Sequence, residues 1–139
     1  MKSALPVGLV ASLIGTLSLG YGVANAEAAS FKEGNSHGIA YMTGGVGVDE
    51  RADMARMAKD FNLKLVFAEP SRPYIADVRV EIKDKSGTKL IDTSSDGPWF
   101  FAGLPEGQYR VTVDHAGKKE EKTVNAGTRL QTLTFLWKD

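Results

Sequence analysis

Alternating apolar and polar positions dominate the second half of the chain. From Ala76 to Asp84, Val78, Val80 and Ile82 alternate with Arg79, Glu81 and Lys83. From Gln108 to His115, Tyr109, Val111 and Val113 alternate with Arg110, Thr112 and Asp114. A period of two places one set on a core face and the other on a polar face of a strand. Shorter segments read the same way: Thr88 to Thr93, with Leu90 on the side of Thr88 and Asp92, then Pro98 to Phe101, Lys118 to Val124 and Thr128 to Trp137. Turn chemistry separates them at Asp84-Lys85-Ser86-Gly87, Ser94-Ser95-Asp96-Gly97, Ala116-Gly117 and Asn125-Ala126-Gly127. Short strands punctuated in this way predict a small antiparallel β-sandwich. The strand Lys118 to Val124 is almost wholly charged on one face and is expected at a sheet edge, where lysines discourage further pairing.

The first half changes period. His37 to Thr43 alternates weakly, and Asn62 to Ala68 alternates with Leu63, Leu65 and Phe67 on one side. Between them Met54, Met57, Ala58 and Phe61 recur at helical spacing, which predicts a helix over about residues 50–61 with Asp49 as its N-cap. Glu27 to Ser36 is small and polar and is expected to be a poorly packed arm. The chain is thus expected to divide into an N-terminal segment, 27–72, built as strand, helix and strand, and a β-sandwich over 73–139. The prolines at 70 and 73 mark the boundary. The segment is expected to pack on, or extend, one sheet.

Residues 1–26 have the form of an export signal. Lys2 is followed by an apolar run from Leu5 to Leu19, and Ala24-Asn25-Ala26 supplies a small-x-small cleavage site. The run is shorter than the roughly 20 residues a spanning helix needs. Cleavage after Ala26 is expected to release a periplasmic or secreted product with no transmembrane segment. Removing Lys2 leaves 16 basic and 17 acidic residues. Such a balance does not suit a nucleic-acid partner. The chain has no cysteine, so its core must hold it without disulfides.

Candidate chemistry is sparse. His37 and His115 stand in no metal-ligand spacing and read as surface turn residues. Asp92 and Asp96 flank a turn without the spacing of a calcium loop and read as residues that bond their own backbone. Gly44-Gly45-Val46-Gly47 before the helix invites comparison with a phosphate loop, but the Gly-Lys-Ser/Thr ending is missing and a plain tight turn is expected. No nucleophile elbow is present. No catalytic residue, cofactor or metal site is therefore expected. Trp99, Phe100 and Phe101 are consecutive aromatics that cannot all face inward on one strand. Either the extra ring packs under the helix, or it forms an exposed surface for a protein, peptide or glycan partner.

Leu104-Pro105-Glu106-Gly107-Gln108-Tyr109 carries the most specific pattern. With Ala76-Asp77-Val78-Arg79-Val80, the turn Asp84 to Gly87, and Asp96-Gly97 before an aromatic strand, residues from about Pro73 to Trp137 resemble the carboxypeptidase regulatory-like domain. The resemblance implies a transthyretin-like (prealbumin-like) sandwich in which Leu104, Pro105, Gly107 and Tyr109 form a structural corner, the Tyr109 hydroxyl bonding back to nearby backbone. Pro98 departs from the family pattern and places that strand at an edge or starts it after the proline. The whole chain is similar to small exported proteobacterial proteins carrying such a domain. Met54 to Phe67 is also loosely similar to short N-terminal modules of secretins and outer-membrane receptors. The fold also hosts a hydroxyisourate hydrolase, but the C-terminal Tyr-Arg-Gly-Ser of that enzyme is replaced here by Phe135-Leu136-Trp137-Lys138-Asp139. The resemblance implies a non-enzymatic binding or accessory module. Assembly through a sheet edge is the alternative, and hydrolase activity a more distant one.

Overall fold

The computed structural model describes residues 31–71 and 75–138. The expected export signal and the linker residues 72–74 lie outside the described residues. Phe31–Asp139 form one compact unit. Among the described residues nine strands and a short helix follow in order: β1 Lys32–Ser36, β2 Ile39–Gly44, α1 Val48–Met57, β3 Leu63–Ala68, β4 Arg79–Asp84, β5 Lys89–Ser94, β6 Trp99–Ala102, β7 Gly107–His115, β8 Lys118–Ala126 and β9 Gln131–Leu136. They form a five-stranded sheet, β1-β2-β6-β3-β9, and a four-stranded sheet, β5-β4-β7-β8.

The fold is mainly β, as expected, and the two sheets share one core. Leu63, Leu65, Phe67, Phe100 and Phe135 of the first sheet meet Val80, Ile82, Ile91, Val111 and Val113 of the second. The period-two positions of β3, β4 and β7 are those that point inward. In β5 the core residue is Ile91, while Leu90 is only partly covered. The charged strand β8 lies at an edge.

Three features depart from the sequence reading. First, residue 73 does not divide the strands into two bodies. Strand β6 lies between β2 and β3, antiparallel to both, so the N-terminal segment is woven into the five-stranded sheet. Of the two placements expected around Pro98 the strand takes the second: β6 begins after the proline, at Trp99, and lies in the centre of the sheet. Second, the sheet is not wholly antiparallel. The chain end returns as β9 and pairs parallel to β3, with Leu63 opposite Gln131 and Phe67 opposite Phe135. Third, residues Lys32–Ser36 of the polar arm form a strand. Lys32–Ser36 pairs with β2 through a two-residue turn, His37-Gly38, whose φ angles of 53° and 79° are those of a type I′ hairpin. Gly34 stands opposite Tyr41, whose ring occupies the space a Cβ would need.

The helix runs from Val48 to Met57 and ends in a 3₁₀ turn, Ala58–Asp60. Its N-cap is Gly47 rather than Asp49, with no side-chain cap bond. Glu50 does the work instead. Its Oε1 accepts from the backbone N–H of Gly45 at 2.5 Å and of Val46 at 2.8 Å. Arg51 Nη1 donates to the Gly45 carbonyl at 2.8 Å. On the inner side of the helix Met54 is buried against Met42 and Phe101, with Met57, Ala58 and Phe61 around them.

Candidate functional site

The aromatic run is spent on the fold. Phe100 points into the main core and Phe101 into the small cluster beneath α1, and both are fully buried. Trp99, on the same side as Phe101, keeps a partly exposed edge. Its ring centroid lies 6.0 Å from that of Phe101, the Gly45 backbone abuts it, and Lys64 Nζ sits 3.8 Å from its centroid. Burial pushes the Lys64 ammonium below its ordinary value. The expected aromatic surface for a partner is thus reduced to part of one indole already covered by a cation.

The glycine loop is likewise occupied. A phosphate loop offers free N–H groups to an anion. Here the N–H groups of Gly45 and Val46 already hold the Glu50 carboxylate. The loop also carries a close approach. A Cβ on Gly97 would stand 2.5 Å from the Gly44 carbonyl oxygen, so glycine is required where the β5–β6 connection crosses β2. Thr43, fully buried beside this crossing, donates to the Trp99 carbonyl and accepts from the Asp96 N–H, both at 3.0 Å.

At the corner, Tyr109 Oη donates to the Pro105 carbonyl at 2.7 Å. Tyr109 and Leu104 are buried, Pro105 is exposed at the bend, and Gly107 opens β7 with φ of 153°. Burial, then the neighbouring Asp84 carboxylate, raise the Tyr109 hydroxyl above its ordinary value, so it stays a donor. Asn62 braces the other side. Its Nδ2 donates to the Leu104 carbonyl at 2.7 Å and its Oδ1 accepts from the Leu104 N–H at 2.8 Å.

The histidines and aspartates also have structural partners. His37 Nδ1 lies 3.0 Å from the Leu90 carbonyl across the gap between sheets. His115 is not a bare turn residue. Its Nε2 lies 3.2 Å from Glu69 Oε2, and its ring packs edge-on at 5.4 Å from Trp137. Asp92 is a strand residue, not a turn residue. Arg79 donates to it through Nε at 3.1 Å and Nη2 at 2.9 Å, and these bonds hold its carboxyl below the ordinary range. Among the described residues no group of three metal-ligating side chains converges.

What remains is the outer face of the four-stranded sheet. The helix covers β2 and β6 of the other sheet, whereas nothing among the described residues lies over this one. Its side chains are polar and stand in register. At one end opposite charges meet: Arg79 opposes Asp114 across β4–β7, and Arg79, Glu81, Lys89 and Asp92 form a surface network. At the other end like charges meet: Lys83 opposes Arg110 directly. A groove of about 200 Å³ lies there, lined by Lys83, Asp84, Lys85, Gln108, Arg110 and Thr123 among others. The Asp84 carboxylate is turned into its own hairpin. Its Oδ1 accepts from Ser86 Oγ at 2.7 Å and from the N–H groups of Ser86 and Thr88 at 2.9 Å, which hold it below the ordinary carboxyl range. Alternation along β4 and β7 put these residues on a polar face. The like-charge pairing follows from register, which the sequence pattern does not carry. No family model matches the chain, and no curated protein matches it.

Proposed function

We propose that this chain is an exported, periplasmic or secreted, non-enzymatic binding or accessory module. Its working surface is the outer face of the four-stranded sheet. One observation carries this reading: the face is polar, uncovered by the helix and indented by two grooves, of about 200 and 160 Å³. Such a surface, held on a rigid sheet, suits recognition of a protein, peptide or glycan. The resemblance to the carboxypeptidase regulatory-like domain, which rests on the Leu104 to Tyr109 pattern and its companion motifs, agrees with an accessory role.

Assembly through a sheet edge is the second reading. The exposed Leu136, at 44%, on edge strand β9 favours it. Edge carbonyls already in use weigh against it. Lys122 Nζ donates to Thr134 O at 2.7 Å, Trp137 Nε1 to Lys118 O at 3.0 Å, and Ser36 Oγ to Leu90 O at 2.7 Å.

Site-specific photo-crosslinking in exporting cells tests the proposal. A photoreactive residue at Thr112, on the bare face, is expected to trap a partner, and one at Ala55, on the exposed side of the helix, is not. Adducts from Ala55 alone, or from neither position, would overturn the reading.

A further inference from the structure

We infer that the groove at the Lys83–Arg110 end of the four-stranded sheet is a site for a doubly charged oxyanion, a sulfate or phosphate group, free or carried on a saccharide. This inference rests on the reading of that face as the working surface and names what it recognises.

Lys83 and Arg110 are direct cross-strand neighbours on the outer face, and Thr123 is the next in the same row. Like charges placed directly opposite destabilise a sheet, because their side chains start only about 5 Å apart. Elsewhere on this face charges are compensated: Arg79 opposes Asp114, Asp114 opposes Lys119, and the like-charged neighbours Glu81 and Asp92 are both bridged by Arg79 and Lys89. Lys85, on the adjoining hairpin, adds a third cation to the same groove.

The cations are poorly compensated. The side chains of Lys83 and Lys85 have no ion-pair partner among the described residues. Arg110 has one, Glu121 at 3.6 Å, with both side chains more than half exposed. Such a pair is screened and contributes little. Asp84 is the groove's own carboxylate, and its Oδ1 is committed to the hairpin turn. Glu106 belongs to an adjoining, more open depression. The groove lining thus carries three cations, Lys83, Lys85 and Arg110, against one carboxylate, Asp84.

The remaining lining suits an oxyanion as well. Gln108 and Thr123 add an amide and a hydroxyl that donate hydrogen bonds. A single carboxylate would be satisfied by Arg110 alone in bidentate fashion. Three cations around one groove match a group with two charges and oxygens directed to several sides. Tyr109 also lines the groove, with its hydroxyl committed to the Pro105 carbonyl.

The test is a ¹⁵N amide titration of the mature chain at constant ionic strength. Sodium sulfate, sodium phosphate and a sulfated heparin disaccharide are the ligand arms, with sodium acetate as the monovalent comparison. Saturable shifts are expected at Lys83, Lys85, Gln108, Arg110 and Thr123. K83Q and R110Q are each expected to weaken binding by about tenfold or more, the loss of one charge-assisted bond. K59Q, with the same change in net charge on the helix side, is expected to bind as the parent does. Tighter binding of the disaccharide than of free sulfate identifies a saccharide-borne group, and equal binding a free ion. The inference is overturned if the shifts are diffuse and unsaturated, if acetate reproduces them, or if K59Q weakens binding as much as K83Q does. In that event a partner still trapped from Thr112 leaves the reading of the face intact. Groove binding without any such adduct separates the two in the opposite sense.

Discussion

The outer faces of the two sheets are built from different materials and respond to different forces. On the five-stranded sheet, Met42 and Phe101 are covered by Met54 of α1, and Trp99 is wedged between the Gly45 backbone and Lys64. On the four-stranded sheet the corresponding positions are Arg79, Glu81, Lys83, Arg110, Thr112 and Asp114, and the helix leaves them uncovered. The first face stabilises the fold by apolar burial. The second adds little, because exposed ion pairs are worth little in water. Residues free of the folding requirement can be chosen for recognition, and the mismatched pair Lys83–Arg110 lies on that second face.

The contrast is tested most severely at Phe101. Phe101→Ala empties a fully buried site beneath the helix and is expected to cost about 3–5 kcal/mol, read as a lower urea midpoint. A loss below about 1 kcal/mol would mean that the helix does not depend on this cluster. Next is the crossing at Gly97. Gly97→Ala sets a methyl group 2.5 Å from the Gly44 carbonyl oxygen. Two backbones must then separate, and a loss of about 1–3 kcal/mol is expected in the same measurement. Tyr109→Phe removes the donor to Pro105 and is expected to cost about 1 kcal/mol. An unchanged midpoint would remove the corner bond from the account.

Acid titration probes the polar face. Hydrogen bonds from Ser86 and Thr88 depress the Asp84 carboxyl, and those from Arg79 depress Asp92. A depressed carboxyl contributes stability that is fully present above its ordinary value of 3.8 and is lost as pH falls through the lower folded value. The urea midpoint is therefore expected to fall as pH drops below about 4, and Asp84→Asn to flatten that fall. A midpoint independent of pH in this window would contradict the assigned bonds.

Local signals were legible in the sequence and long-range ones were not. The corner from Leu104 to Tyr109 could be read because all its parts lie within six residues and its bond spans four. Strands β3, β4 and β7 could be read because one face of each is buried. Strand β1 could not: Lys32–Ser36 is an edge strand with no fully buried residue, so no alternation was imposed on it. The parallel return of β9 along β3 joins segments nearly seventy residues apart. Glu69 and His115 meet across 46 residues. The acid at Glu50 was a usable sign that the glycine loop was already occupied, since an N3 carboxylate commonly reaches back to free N–H groups. The groove was hidden for the same reason as β9. Lys83 and Arg110 each look ordinary on an alternating strand, and only the register sets them opposite one another.

That opposition makes the central claim measurable in the unliganded protein. If the cations of the groove are held for a ligand rather than for the fold, Lys83→Gln relieves a like-charge pair. Its stability at low ionic strength is expected to exceed the parent's by a few tenths of a kcal/mol, the scale of a cross-strand charge pair. The gain is expected to fade as salt is raised. Arg79→Gln, at the matched end, is expected to lower the midpoint under the same conditions. A Lys83→Gln variant less stable than the parent at low salt would show that Lys83 supports the fold, and would contradict the account.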